Sequence, residues 1–253
     1  MKILLSEKST QQKTTSFENT DPSRHEVWMM FDRIAHRYDL LNHLLSMGQD
    51  IIWREKVSKH LKNIPDQHVL DLATGTADLL LTVYQKNPLV KTGIGLDLAE
   101  KMLDIGRHKI SERNLNGNLS LMAGDAMNIP FPENSFDAVM IAFGIRNVIN
   151  VQKSLGEMNR ILKKGGRTII LEFSLPQNRI IRSLYLFYFR KVLPKIGALI
   201  SGDANAYKYL NETVEAFPYG DDFCDLMLNA GFKQVKSTPL TFGIAAIYQG
   251  DKE

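Results

Sequence analysis

The residues of this chain best placed to do chemistry are carboxylates set around one short turn. Asp71 closes the apolar run that begins at Val69. The small-residue turn Ala73-Thr74-Gly75-Thr76-Ala77 follows, and Asp97 closes a second apolar run, Gly93 to Leu98, about 20 residues beyond that turn. A carboxylate at a strand end accepts hydrogen bonds from both hydroxyls of a ribose, which is the task expected of Asp97. Gly75 lets the backbone approach a ligand, and Thr76 adds a hydroxyl. Asp71 either holds a ligand's ammonium group or orders the loop, with a plain helix-capping residue as the alternative. Past a further apolar run comes Ala123-Gly124-Asp125-Ala126. There Asp125 can accept an adenine amino group while a backbone amide reaches a ring nitrogen, or it can be a plain turn aspartate.

The turn also excludes a ligand. A dinucleotide site needs three glycines so that its backbone can approach a pyrophosphate, and this turn keeps only Gly75. S-adenosylmethionine carries a ribose and an amino acid but no phosphate, and it fits such a turn better. A nicotinamide dehydrogenase is the weakest reading for the same reason.

The elements that must hold these residues can be read from periodicity. Apolar residues from Val27 through Trp28, Phe31, Ile34, Tyr38 and Leu41 recur at three- and four-residue steps, which predicts a helix. Ser46-Met47-Gly48 interrupts it, and a further helix is expected over Ile51 to Leu61. Strands are expected at Val69–Ala73, Gly93–Leu98, Leu119–Ala123, Ala138–Ala142 and Thr168–Phe173. Helices Asp78–Gln85, Glu100–Glu112 and Gln152–Leu162 separate them. That alternation predicts an α/β fold with a parallel sheet and right-handed crossovers. The last two strands, Lys233–Pro239 and Thr241–Tyr248, leave only Pro239 and Leu240 to turn between them, so they should pair as an antiparallel hairpin. A mostly parallel seven-stranded sheet ending in that hairpin resembles, by analogy of fold, the Rossmann-like class I S-adenosylmethionine-dependent methyltransferases, and that architecture is expected.

One domain is expected over 22–253, with residues 22–64 as an N-terminal helical cap and 179–218 as a helical lid insertion. Residues 1–21 read as a disordered polar tail without a signal-peptide core. A net charge of +3 is too small and dispersed to argue for nucleic acid. Cys224 is the only cysteine, so an internal disulfide and a cysteine-based metal or redox motif are both excluded, in keeping with a cytoplasmic protein. His36 and His43 lie seven residues apart on the first helix, the wrong spacing for a metal pair, and no metal is expected. Residues 179 to 202 stand apart, with Arg179, Arg182, Arg190, Lys191 and Lys195 among many aromatic residues. The charges are too frequent for a transmembrane helix. The segment is either a lid packed on the core or an amphipathic element that meets a membrane interface.

Three stretches are more specific than the fold. They are YDLLNHLLSMGQDIIWR from Tyr38 to Arg54, FGIRN from Phe143 to Asn147, and RILKKGGRTIILEFS from Arg160 to Ser174. With these motifs the chain resembles the quinol C-methyltransferases of menaquinone and ubiquinone biosynthesis, over about Phe31 to Tyr248. By position, the family's S-adenosylmethionine contacts fall on Thr76, Asp97 and the pair Asp125-Ala126. A further contact, often a serine, falls on Ala142, which has no hydroxyl. Ala77 stands where a glycine is usual, Asp50 where a histidine is common, and Lys164 where a proline is usual.

The resemblance implies methylation of a ring carbon of a prenylated quinol. The first expectation is demethylmenaquinol to menaquinol, the last step of menaquinone biosynthesis. The alternatives are a benzoquinol of the ubiquinone pathway, or a non-catalytic S-adenosylmethionine-binding subunit. Such a carbon becomes nucleophilic when an adjacent hydroxyl loses its proton, so a base or a cation beside the oxygen is useful. Arg146 is expected to hold that oxygen or orient a water, with a structural turn as the alternative role. Asn147 is expected to bond a second ring oxygen, and Tyr38 and His43 to cover the ring. The lipid tail of the substrate implies a peripheral location at the inner face of the membrane, reached through 179–202. Association as a homodimer is a further expectation.

Overall fold

Seven strands form one sheet in the order β3-β2-β1-β4-β5-β7-β6. The computed structural model describes residues 27–194 and 204–253. The polar run 1–21, residues 22–26 at the start of the cap, and 195–203, which take in the end of the basic aromatic segment, lie outside the described residues.

The strands are β1 (Gln67–Leu72), β2 (Val90–Asp97), β3 (Leu119–Ala123), β4 (Phe136–Ala142), β5 (Leu162–Phe173), β6 (Lys233–Leu240) and β7 (Ala245–Asp251). The helices are α1 (Val27–Leu45), α2 (Gln49–Ser58), α3 (Asp78–Lys86), α4 (Glu100–Glu112), α5 (Val151–Ile161), α6 (Arg179–Phe187), α7 (Ala204–Ala216) and α8 (Asp221–Asn229). A wider helical turn, Tyr188–Val192, extends α6.

Strands β1 to β5 run parallel, and β7 lies antiparallel to both β5 and β6. β1 buries every residue but His68, because it is covered on both faces. Val69 packs with Trp53 and Val57 of α2 and Leu80 and Val83 of α3. On the other face Leu70 and Leu72 pack with Leu155 and Met158 of α5 and Phe223 and Met227 of α8.

The hairpin turns later than its sequence indicates. Pro239 and Leu240 are not the turn; they belong to β6 and pair with Ala246 and Ala245. The chain reverses instead through Thr241, Phe242 and Gly243, all with positive φ. Pro239 is tolerated because β6 is the edge strand, where a missing N–H leaves no neighbour unpaired. The second helix also starts earlier than expected, at Gln49.

The strand order reverses between β1 and β4, with β2 and β3 on one side and β5 on the other. Open α/β sheets bind ligands outside the carboxyl ends of the strands at such a switch point. There the loops after β1 and β4 come very close. A side chain at Gly144 would begin 2.5 Å from the Cβ of Ala73, so that position admits only glycine.

Candidate active site

A cavity of about 450 Å³ opens at the switch point. Its wall comes from the ends of four strands: Ala73 and Gly75 after β1, Asp97 to Ala99 after β2, Gly124 to Met127 after β3, and Ala142 to Ile149 after β4, apart from Ile145 and Arg146. α1 closes it with Val27, Trp28, Phe31 and Tyr38. Asp97 is fixed by two backbone donors, Gly75 N–H to Oδ2 at 2.8 Å and Ala99 N–H to Oδ1 at 2.8 Å. Each oxygen keeps a further lone pair for a ligand hydroxyl. Burial pushes the Asp97 carboxyl above its ordinary value, and the bonds from Ala99 and Gly75 oppose that. Asp125 accepts Met127 N–H through Oδ1 at 2.8 Å, an Asx turn that presents the carboxylate at the wall. Ala142, without a hydroxyl, also lines it.

The chemistry of this wall selects its ligand. Among the described residues it carries two aspartates and no lysine or arginine. That suits a cation bearing a diol and repels a diphosphate. S-adenosylmethionine, with its sulfonium charge, ribose and adenine, fits the donor set. Asp97 would take the ribose, Asp125 with Ala126 the adenine, and Gly75 the backbone approach.

Two residues expected in this site lie elsewhere. Thr76 does not line the cavity; its hydroxyl donates to Asp39 Oδ1 of α1 at 2.6 Å. Lys109 Nζ of α4 completes the cluster, reaching Asp39 at 2.6 Å, Asp78 at 2.7 Å and Thr76 Oγ1 at 3.0 Å. The hydroxyl thus fastens the turn to the cap. Asp71 is buried beneath the turn, where Thr74 Oγ1 donates to its Oδ2 at 2.7 Å. Of its expected roles, ordering the loop matches this position. Burial raises its pKa to about 7. Neither Lys109 nor Asp39 was singled out by the sequence, because their partners are far apart along the chain.

A second, apolar cavity of about 170 Å³ lies under α6 and α1. Met30, Ile34, Trp53, Phe173, Phe189 and Leu193 are among its lining residues. Phe31, Tyr38 and Phe143 line both cavities and form the partition between them. Phe143 holds φ at +56°, a left-handed conformation that is rare for a bulky residue and that marks a constrained loop. Burial raises the Tyr38 phenol, and its hydrogen bond with the Asn42 side chain opposes that shift.

Arg146 belongs to the apolar cavity. Its Nη1 donates to Glu172 Oε1 at 2.7 Å and to the Phe143 carbonyl at 2.5 Å, and its guanidinium lies 5.3 Å from the Phe173 ring centre. It is not a free cation but half of a buried ion pair. Its Nε has no hydrogen-bond partner among the described residues. Asn147 faces the other cavity, and its Oδ1 accepts from Tyr209 of α7 at 3.2 Å. His43 lines neither cavity. Its Nδ1 meets Asp50 Oδ2 at 2.8 Å, and Asp50, which also binds Ser46 and Arg54, lines the apolar cavity instead.

The model of the ubiE/COQ5 methyltransferase family matches residues 19–252. The chain is 46% identical to a demethylmenaquinone methyltransferase of Thermus thermophilus, over 88% of this chain and all of that one. It is 44% identical to a ubiquinone/menaquinone biosynthesis C-methyltransferase UbiE of Geotalea daltonii, over 90% of this chain and 96% of that one. Among solved structures, a SAM-dependent methyltransferase of Thermotoga maritima superposes with a TM-score of 0.62 at 20% identity, covering 89% of this chain and 99% of that one, a likeness of fold. By a match that takes in both cavities and the partition between them, the chain belongs to the ubiE/COQ5 methyltransferase family.

Proposed function

We propose that this enzyme methylates a ring carbon of a prenylated quinol, with demethylmenaquinol as substrate and menaquinol as product. The observation that carries this reading is the pairing of the two cavities. One is acidic and lies at the switch point; the other is apolar with buried arginines; three aromatic residues separate them. Names of relatives such as that of Thermus thermophilus support the naphthoquinol.

When bound, S-adenosylmethionine supplies an electrophilic methyl group. The protein's part is to place the acceptor ring against Tyr38 and Phe143 with water excluded, since alignment accounts for much of the acceleration in such displacements. Arg146 stabilises the developing charge on the ring oxygen, whose proton passes to bulk water. Its buried pairing with Glu172 holds the guanidinium in place before the ring arrives.

In this reading the cap and the lid, residues 22–64 and 179–218, are parts of one methyltransferase unit. The lid also meets the membrane where the substrate's tail lies, giving a cytoplasmic enzyme peripheral at the inner face. On α6, Ile180, Leu184 and Phe187 are 73%, 66% and 64% exposed, and Arg179 and Arg182 flank them, as on an interfacial helix. Among the described residues no helix is long and apolar enough to cross a membrane.

Turnover with methyl-labelled donor and reduced demethylmenaquinone tests the reaction. Label in menaquinol is the expected result. Label only in a methoxybenzoquinol would move the enzyme to the runner-up pathway, and no turnover with either would leave a binding subunit. Anionic vesicles should retain the wild type and release Leu184→Asp.

A further inference from the structure

Two buried polar atoms in the apolar cavity lack the partner that burial normally demands. One is Arg146 Nε, already described. The other is the hydroxyl of Tyr185, on α6. Both residues line the same cavity, and both are more than nine-tenths buried, at 5% and 9% exposure. Most buried polar groups in folded proteins are hydrogen-bonded, and an orphan at a cavity wall points to something that enters the cavity. Both atoms are donors. A guanidinium Nε carries a proton at any working pH, and burial pushes the Tyr185 phenol far above its ordinary range, so it too stays protonated. The rest of the Tyr185 ring is held: it stacks on Phe189 at 5.1 Å and packs with Leu175, Leu193 and Val214. Two fixed donors in an otherwise apolar wall define the shape of their ligand, an oxygen acceptor on an apolar body.

We propose that Tyr185 is a substrate-contacting residue that donates its hydroxyl hydrogen bond to a ring oxygen of the quinol, beside Arg146 Nε. This rests on the reading of the apolar cavity as the quinol site, and it assigns to α6 a polar role at that cavity besides its packing. The hydroxyl does not take a proton in the reaction. It stabilises negative charge on the oxygen as the ring carbon becomes nucleophilic, and it orients the ring relative to the partition at Phe143.

The test uses Tyr185→Phe, which removes one oxygen and keeps the stacked ring. Turnover is measured against reduced demethylmenaquinone and against an analogue in which one ring hydroxyl is replaced by hydrogen. The expected result is about a tenfold or greater loss of kcat/KM on the quinol, as for a donor to a developing charge. Donor affinity should be unchanged, and Tyr185→Phe should lose part of the wild type's preference for the quinol over the analogue. Thermal stability should rise, because an unpaired buried hydroxyl has been removed. Unchanged kcat/KM and an unchanged preference, with the wild type active, would overturn the role and leave the hydroxyl to an ordered water. If the wild type itself fails to turn over either quinol, the reading of the cavity fails, and that outcome is separate. Tyr185→Leu serves as a control for packing: a drop in stability with that variant alone distinguishes lost ring contacts from a lost hydrogen bond.

Discussion

The hydroxyl of Thr76 lies 2.6 Å from Asp39 Oδ1, so the turn that shapes the switch-point cavity is tied directly to the helix that closes it. Lys109 ties the same aspartate to Asp78 at the start of α3. α1 is therefore one wall of the switch-point cavity as well as of the apolar one.

Weakening this tie should weaken donor binding without touching a donor contact. Asp39→Ala leaves Lys109 and Thr76 without their shared acceptor, and roughly a tenfold rise in Kd for S-adenosylmethionine is expected, the effect of about one charge-assisted hydrogen bond. Thr76→Val should do less, because Lys109 still holds Asp39. Calorimetry measures both. Hydrogen exchange over α1 should quicken in the same order, and equal protection in all three proteins would contradict the coupling.

Asp97→Ala should act on the donor alone. It removes the acceptor for the ribose and also frees the amides of Gly75 and Ala99. Loss of one or two hydrogen bonds to a charged group corresponds to roughly a hundredfold weaker binding. A dissociation constant that stays put would sink the assignment.

Arg146 and Glu172 must be tested as a pair. Arg146→Ala strands a buried carboxylate, which should cost about 3 to 5 kcal/mol in stability. Adding Glu172→Gln removes that charge and should recover much of the melting temperature. Both proteins should still bind S-adenosylmethionine, since Arg146 does not line the donor cavity, and both should turn over the quinol poorly. Activity returning along with stability in the double variant would reduce Arg146 to a structural role.

Asp71 gives a pH signature. Burial raises its pKa from 3.8 to about 7 in the folded chain. The folded state therefore binds a proton that the unfolded state has released. The stability this contributes is complete below about pH 4 and is lost as the pH climbs through about 7. Asp71→Asn lacks the titration, so between those limits wild type should lose stability relative to the variant by a few kcal/mol, on the order of the shift. Denaturant melts at four or five pH values measure the difference; a difference that stays flat would show that Asp71 titrates normally.

Much of the fold is legible because its signals are local. The apolar runs of β1 and β4 and the period of α4 are each complete within a few residues, and the expected Glu100–Glu112 is the observed helix. The hairpin was misplaced because proline usually marks a turn, and only the edge position of β6 makes Pro239 acceptable inside a strand. Gly75, Asp97 and Asp125, which line the switch-point cavity together, are legible because each lies at or just past the end of its own strand. Thr76 stands in the same turn, but its side chain answers to Lys109 and Asp39, which no local pattern connects. Glu172 and Tyr185 were unassigned for a similar reason. The pairing of the first and the isolation of the second are properties of a packed cavity.

The partition at Phe143 has a consequence for the enzyme at rest. A sulfonium compound is an alkylating agent, and water is the most abundant nucleophile in any cell. Among the described residues Phe31, Tyr38 and Phe143 line both cavities, so the passage between them is bounded by hydrocarbon rings and one phenol. Few sites there can hold a solvent molecule in line for attack. Under the proposed function, the strained backbone at Phe143 would serve fidelity as well as shape, shielding the activated methyl until a carbon nucleophile arrives, so donor that binds first should wait without being wasted.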